Sequence, residues 1–403
     1  MADTLRPETA VEVLDAVKWA ASEETTLEVV GLGSKRGYGR PVEAAHTLDL
    51  SALGGITTYE PSELYLSCRA GTPMAEITAA VVEAGQMLAF EPPQATGGTL
   101  AGVIACNLSG PRRIMAGAAR DHLLGFNAVS GRGEEFKSGG TVVKNVTGFD
   151  LSKLMAGSFG TLAVMTDLTI KTLPRPEKVR TVLARWRPDG VYDRAAMKAM
   201  SAALGSAHEV SAAAHVPAGL AQRSAVGRVS GPGGGVTGIR VDGPAPSAEH
   251  RAGELVGLMR EFCTDVETLH SENSGTFWRE VSESAYLERD GHQVWCLSVP
   301  PSQGAAVAID ILDNLHGEVL YDWGGGLVWM ALEARDDAGA EVIRDVVERV
   351  GGHATLTEAA ADVRDRVPVF HPQPAALSDV ARRIKDGFDP KGILNPGRMA
   401  TVD

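Results

Sequence analysis

Residues 92–125, PPQATGGTLAGVIACNLSGPRRIMAGAARDHLLG, are dense in glycine, small residues and hydroxyls, and their few long side chains are mostly arginine. A core segment would be apolar and periodic, and a linker would lack the run Val103-Ile104-Ala105-Cys106. Gly97, Gly98, Gly102 and Gly110 let backbone amides approach a ligand with no Cβ in the way. Thr99 suits the N-cap of the short apolar helix that follows, whose first turn would offer unpaired N–H groups and a partial positive charge. The residue types together describe a cradle for a large anion, most naturally a phosphate.

A second glycine loop stands earlier in the chain. The apolar strand 26–30 runs into Gly31-Leu32-Gly33-Ser34-Lys35-Arg36-Gly37. A nicotinamide-binding Rossmann unit would need GxGxxG spacing and a long helix directly after it. Here the spacing is GxGxxxG, and Tyr38-Gly39-Arg40-Pro41 leads into an alternating strand, HTLDLSAL. The unit reads strand–loop–strand, which excludes that cofactor.

The elements that position these loops fall into three regions. Residues 1–175 alternate short strands, glycine turns and helices: a helix over 8–22 with Val11, Leu14, Val17 and Ala21 on one face, and a second helix that Thr72 caps, with Pro73 in its first turn. The prolines of LPRPEKVR from Leu173 mark a boundary. Residues 176–370 interleave strand-like VRTVLARW, EVSAAAHV, GVTGIRVDG, HQVWCLSV and GLVWMAL with helices near 248–262, 276–287, 303–315 and 338–350, the pattern of an antiparallel α+β cap. The loop 230–238, SGPGGGVTG, reads as a mobile hairpin connection, with phosphate binding the alternative. Residues 371–403 hold a helix ending near Gly387 and then FDPKGILNPGRM.

The 403 residues carry 38 basic and 51 acidic side chains, a net charge of −13, so no broad basic face for nucleic acid is expected. No run is long and apolar enough for a membrane span, and the acidic N-terminus is unlike a signal peptide. Cys68, Cys106, Cys263 and Cys296 are scattered without a CxxC pair, which excludes a recognisable zinc or iron–sulfur site and suits a reducing cytoplasm.

The ordered motifs GLGSKRG, GTLAGVIACNLSG, GSFGTLAVMTDLTIK and GILNPGRM resemble the FAD-binding oxidoreductases of the vanillyl-alcohol oxidase / p-cresol methylhydroxylase (PCMH) superfamily. More narrowly, AGTPMAEITAAVVEAGQMLAFEPP, SGPRR with GAARDHLLG, and KNVTGFDLSKLMAGSFGTL look like the FAD-binding subunit of the bacterial glycolate oxidase complex. The resemblance implies an α+β fold: a two-subdomain PCMH-type FAD-binding domain over 1–175, completed by 371–403, with the cap over 176–370. Gly33, Ser34, Lys35, Arg36 and Gly37 would wrap the FAD pyrophosphate, with Lys35 and Arg36 adding charge; a tight turn with two solvated cations is the alternative. Thr99, Gly102, Asn107, Ser109 and Gly110 would form the second wall, although Ala101-Gly102 stands where the family commonly has paired glycines. Gly157, Ser158, Gly160 and Thr161 would touch the flavin or adenine end, or make a plain helix-to-strand turn. Asn395, Pro396, Gly397 and Arg398 would return towards the isoalloxazine, or form a turn without ligand contact.

No His or Cys stands in the phosphate loops at 31–40 or 92–100, so the FAD is expected to be non-covalent; Cys106 reads as a small buried residue. Oxidising a 2-hydroxy acid needs a cation for the carboxylate, a base for the hydroxyl proton and a hydride acceptor. Related dehydrogenases carry a signature resembling GHxGDGNxH on a cap strand. The corresponding stretch 321–329, YDWGGGLVW, has the glycines and no histidine, so metal-dependent chemistry does not carry over and no metal site is expected. Asp322 is its titratable side chain, a base or a structural loop carboxylate. Arg112 and Arg113 are candidates for a carboxylate fork, the alternative being one pyrophosphate ligand and one surface residue. His122 beside Asp121 reads as a satisfied histidine, Trp295, Trp323 and Trp329 as core or interface aromatics, and His371 as a linker residue. Lys144 and Asn145 either bond the flavin edge or are structural.

The resemblance implies an enzyme that oxidises glycolate or a similar 2-hydroxy acid and passes electrons to a partner. It implies a larger FAD-binding catalytic subunit and an iron–sulfur subunit, in the cytoplasm or peripheral at the inner membrane through those partners. A flavin-bearing accessory or electron-relay subunit is the alternative; a nicotinamide-dependent reductase has no motif in its favour.

Overall fold

The computed structural model describes residues 3–94, 97–142 and 148–400. The chain divides into two units. The first comprises the residues up to Ser109, Gly117–Pro174 and the chain from Pro368; the second comprises Gly110–Ala116 and Arg175–Val367.

In the first unit β1 (Asp3–Leu5), β2 (Leu27–Val30) and β3 (His46–Asp49) form a small parallel sheet in the order β1-β3-β2. The parallel neighbours β2 and β3 are joined by a loop without a helix, as the strand–loop–strand reading requires. β4 (Ile56–Glu60), β5 (Tyr65–Arg69), β6 (Gln86–Met87), β7 (Leu123–Ser130), β8 (Glu135–Gly139), β9 (Ala163–Lys171) and β10 (Leu173–Pro174) follow. Five of these make an antiparallel sheet, β4-β5-β9-β7-β8, while β6 pairs with β10.

Helix α1 (Ala10–Ser22) starts at a capping box: the Glu12 N–H donates to Thr9 Oγ1 at 3.2 Å and the Thr9 N–H to the Glu12 carboxylate at 3.3 Å. It buries Val13, Val17 and Ala20, and Val11 lies 62% exposed. Of the expected stripe Val17 is buried and Leu14 and Ala21 are partly buried against the core, so only Val11 lies off the packed face, which tertiary packing centres on Val13, Val17 and Ala20. Helix α2 (Met74–Glu83) has Pro73 as its N-cap and no side-chain cap. Thr72 is used elsewhere: its hydroxyl donates to Arg69 O at 2.6 Å and accepts the Gly55 N–H at 3.0 Å, tying the end of β5 to the preceding turn. Helix α3 (Leu100–Ala105) does begin at Thr99, whose Oγ1 accepts the Gly102 N–H at 3.2 Å.

The core of this unit joins Leu27, Leu48, Leu66, Ile77, Leu100 and Ile104 to Ile393 and Leu394 from the far end of the chain. Residues 389–398 are held by hydrogen bonds as well as packing. Asp389, with a fully buried side chain, accepts the Ile393 and Leu394 N–H groups and the Lys385 ammonium, and Lys385 also donates to Thr161 O at 2.6 Å.

The second unit is one antiparallel sheet of eight strands: β11 (Lys178–Arg185), β12 (Ala212–Val216), β13 (Val236–Gly243), β14 (Asp265–His270), β15 (His292–Ser298), β16 (Gly317–Asp322), β17 (Leu327–Glu333) and β18 (His353–Glu358). Their order is β14-β11-β13-β12-β16-β17-β15-β18. The five strands expected from the sequence are present; β14, β16 and β18, and the helix Asp193–Leu204, were not anticipated. β14 is an edge strand with one buried position, Leu269, so its apolar alternation is weak; β18, the other edge strand, buries Ala354, Leu356 and Thr357 within a short run flanked by polar residues. The helix expected at 276–287 runs instead over Ser271–Ser282.

The glycine loop 230–238 is packed rather than a freely moving hairpin. The Trp186 N–H donates to Gly235 O at 2.8 Å, and a Cβ on Gly234 would collide with the Trp186 carbonyl oxygen. A backbone must shift to admit one. Gly234→Ala is therefore expected to destabilise the second unit by about 2 kcal/mol or more, of the order of an overpacked core position, whereas Gly219→Ala, with open space at its Cβ, should be close to neutral; urea unfolding of the two variants measures the difference.

Candidate functional site

A pocket in the first unit is lined by the end of β2 (Glu28 to Val30), the loop Gly31 to Arg36, Thr99 and Gly102 with Ala105 and Cys106, Phe159 and Gly160, and Asn395 and Arg398. Four segments remote in sequence thus meet at one cavity, and the glycines explain how. A Cβ on Gly31 would reach the Thr99 side chain, and one on Gly98, at φ +108°, would collide with Ser34 Oγ. The two loops approach more closely than any other residue would allow. Gly33 and Gly97 have positive φ and open space at the Cβ position, so their need for glycine is conformational.

The two cations of the first loop are in different states. Arg36 is exposed and forks onto Glu28, donating from Nε at 2.9 Å and from Nη2 at 2.8 Å. Lys35 is 8% exposed, and its ammonium donates to Gly97 O and Ser34 Oγ, each at 2.9 Å. Burial lowers the Lys35 pKa from the usual lysine value. Cys106 faces the same cavity; burial pushes its thiol up to about 11, against the opposing pull of Arg398 and Lys35. It is a thiol at neutral pH, and a poor nucleophile.

Helix α3 offers fewer donors than its sequence suggests. The Leu100 N–H donates to Thr72 O at 3.2 Å and the Gly102 N–H goes to Thr99. The first turn of α3 is therefore largely satisfied by the protein itself, and the pocket wall there is made by the glycine loops and the two buried cations.

Asn395 makes the central connection. Its backbone N–H donates to Leu27 O at 2.9 Å, its Oδ1 accepts the Val29 N–H at 2.7 Å, and its Nδ2 donates to Phe159 O at 2.8 Å. The residue has φ +42°, a left-handed conformation that asparagine tolerates better than most. The family resemblance implied a flavin-facing role for it, with a turn free of ligand contact as the alternative; these bonds spend its amide on β2 and the turn at 157–161. Arg398 donates from Nη2 to Lys35 O at 2.6 Å, and its own carbonyl accepts the Arg40 N–H at 2.9 Å.

The remaining expected residues separate. Gly33, Ser34, Lys35, Arg36, Thr99, Gly102, Gly160 and Asn395 line the pocket; Gly37, Asn107, Ser109, Gly110, Gly157, Ser158, Thr161 and Gly397 do not. Asn107 Oδ1 accepts the Arg120 N–H at 3.1 Å and Ser109 Oγ the Ala119 N–H at 2.9 Å, so both steady the short helix Ala119–His122. The Gly157 and Phe159 N–H groups strap their turn to Ile104 O and Ala105 O. Thr161 Oγ1 donates to Ser158 O at 2.7 Å. Glu28, Phe159 and Cys106 were not singled out as lining residues; their only signal was nearness to a loop or strand already chosen.

Gly110, Arg112 and Arg113 belong to the second unit. The Arg112 guanidinium is 6% exposed and pairs with Asp242 at 2.5 Å. Arg113 lies 4.4 Å above the Trp323 ring, whose Nε1 donates to Gly110 O at 3.2 Å. Asp322 is 2% exposed and its Oδ1 accepts the Trp323 N–H at 2.7 Å, capping the turn that Gly324 and Gly325 make with positive φ. Trp295 is fully buried and donates to Ala338 O. In the first unit His122 is buried against Phe90, and Asp121 accepts the Ala118 N–H. Lys144 and Asn145 lie outside the described residues. Among the described residues no cluster of His, Cys, Asp and Glu could hold a metal ion.

The second unit also contains a buried polar chain. Tyr321 donates to Asp193 Oδ2 at 2.7 Å, His215 Nε2 stands 3.5 Å from Asp193 Oδ1, and His215 Nδ1 and Trp186 Nε1 meet at Thr237 Oγ1 at 2.9 and 2.8 Å. Burial favours the neutral acid at Asp193, but the hydrogen bonds and charge of His215 and the Tyr321 hydroxyl outweigh it, holding the carboxyl below its ordinary value.

The comparisons with known proteins agree with this architecture. A family model described as an FAD binding domain matches residues 2–139. A p-cresol methylhydroxylase crystal structure superposes with a TM-score of 0.72 at 17% identity, covering 99% of this chain and 88% of its own, and a 4-ethylphenol oxidase from Gulosibacter chungangensis does so with 0.72 at 15%, covering 98% and 88%. The fold is that of PCMH-type FAD-binding oxidoreductases. Glycolate oxidase subunit GlcE of Escherichia coli is 34% identical over 96% of both chains, and glycolate oxidase subunit GlcD of Bacillus subtilis 24% identical over 90% of this chain and 81% of its own. The chain belongs to the family of glycolate oxidase subunit GlcE.

Two outcomes follow from this geometry. Asn395→Ala removes the partner of the part-buried Val29 N–H and Phe159 carbonyl, each bond worth ~1 kcal/mol, so the first unit should lose about 2 kcal/mol in urea unfolding. The depressed Asp193 carboxyl contributes stability above the unfolded-state carboxylate value, near ~4, and loses it as pH falls through the lower folded value. Asp193→Asn should therefore flatten the acid limb of a stability-versus-pH series.

Proposed function

We propose that this chain is an FAD-dependent oxidoreductase subunit that oxidises glycolate or a similar 2-hydroxy acid to the 2-keto acid and delivers the electrons to a partner subunit. The observation that carries the reading is the pocket where two glycine loops close on buried Lys35 and Arg398, in a chain of the GlcE family. The fit to FAD is chemical. Gly98 leaves room only because it has no Cβ, the first glycine loop lines the cavity, and two cations are present for a diphosphate. Gly33, Ser34, Lys35, Thr99 and Gly102 would hold the diphosphate side and Gly160 the far wall, with Arg36 kept from it by its fork onto Glu28. Attachment would be non-covalent, since Cys106 is held as a protonated thiol.

Bound FAD supplies the two-electron acceptor for such an oxidation. The chain's own residues hold and orient it. Asn395 fixes β2 against the 157–161 turn, and Val29, Ala163 and Met165 give the cavity an apolar wall. The partners in this reading are a larger flavin subunit and an iron–sulfur subunit, with the assembly cytoplasmic or peripheral at the membrane. Among the described residues no helix is long and apolar enough to cross a membrane.

A second reading, a flavin-bearing accessory or electron-relay subunit, is favoured by specific observations. Asp322 caps its own turn, Arg112 is committed to Asp242, and residues 321–329 hold no histidine. The protein purified alone should carry or take up acid-releasable FAD. Anaerobic glycolate bleaching of that flavin in the isolated chain supports the first reading; bleaching only in the presence of the partner subunits supports the second, and a protein that takes up no FAD removes both.

A further inference from the structure

Two side chains from opposite ends of the chain place positive charge in the same cavity. Lys35 and Arg398 are each 8% exposed and both line the pocket. Arg398 donates to the Lys35 carbonyl at 2.6 Å, so the two residues are joined directly, and both charges act on the thiol of Cys106 between them. The acid at the rim, Glu28, is held by Arg36. Bringing cations out of water is costly, and the cost is met best by an anionic ligand that shares the cavity.

We propose that Arg398 is a ligand of the FAD diphosphate, acting with Lys35, so that the C-terminal segment supplies half of the positive charge that holds the cofactor. The inference rests on the FAD reading above and extends it. A diphosphate in a dinucleotide carries two negative charges; backbone amides of the glycine loops orient it without neutralising it, and the two cations match it in number. The arrangement also makes cofactor binding and docking of residues 389–398 mutually dependent, because whatever binds the docked form more tightly stabilises docking by the same factor. Lys35 gains from the pairing as well: burial lowers its proton affinity, and a neighbouring dianion restores it.

The test is FAD titration of the apo-protein, full chain, by quenching of flavin fluorescence at low and high salt, for the wild type, Arg398→Gln, Arg398→Lys and Lys35→Met. A charge-assisted contact of this kind is worth ~10-fold or more in affinity. Arg398→Gln should weaken FAD by that much, with a shallower dependence on salt because one screened attraction is gone. Arg398→Lys should recover most of the loss. Lys35→Met keeps the Arg398 bridge to the backbone carbonyl at position 35 and should reproduce the Arg398→Gln effect, which covers the case in which Arg398→Gln fails to fold. The proposal is overturned if Arg398→Gln binds FAD like the wild type, or if Arg398→Lys is as weak as Arg398→Gln while the salt dependence is unchanged, the pattern of a purely structural residue. A wild type that takes up no FAD would instead overturn the cofactor reading itself.

Discussion

One side chain, the amide of Asn395, holds the pocket-lining parts of the first unit in register. It satisfies a β2 amide and the Phe159 carbonyl at once, across 366 and 236 positions of sequence. Both partners are part-buried backbone groups, so the amide joins two main-chain segments directly. The segment that delivers Asn395 is itself anchored: Asp389 is enclosed by two amides and the Lys385 ammonium, and Ile393 and Leu394 are core residues. The pocket is therefore not a feature of the N-terminal loops alone. Its walls are held at their spacing by the last part of the chain.

Charge is distributed to suit that pocket. The protein carries a net charge of −13, yet the cavity has Lys35 and Arg398 on its walls and its acid is occupied by Arg36. The cations on these walls stand against the sign of the whole chain's net charge. In the second unit the chemistry-capable residues are mostly spent on structure. Arg112 sits in an ion pair with Asp242, Asp322 caps a strained turn, and His215 belongs to a closed chain running from Tyr321 to Trp186. Such a chain, with every member partnered, specifies how the helix Asp193–Leu204 and strands β12, β13 and β16 pack.

Much was readable before any coordinates. The glycine spacing in 31–37 and 97–110, the Thr99 cap, the strand–loop–strand unit and five of the eight strands of the second sheet are local properties, set by φ/ψ preference and alternation within a few residues. Motif order then identified the family. The pattern was weakest where local preference is degenerate: Val11 continues the apolar spacing of α1 yet lies exposed, Thr72 suited a helix cap and ties a turn instead, and the edge strand β14 alternates too faintly to register.

Which polar side chains face a ligand and which are consumed by the fold belongs to tertiary structure. Lys35 and Arg36 are neighbours of equal charge, and only Glu28 on the adjacent strand draws Arg36 away while Lys35 turns inward. Arg112 finds Asp242 at a separation of 130 residues, and Arg398 finds Lys35 at 363. A composition or a spacing cannot contain such pairings, because they depend on which backbones the core brings together. Local chemistry determined the two glycine loops and the motif order of an FAD-binding fold; long-range packing decided which of the cations line the pocket between those loops and which are paired elsewhere.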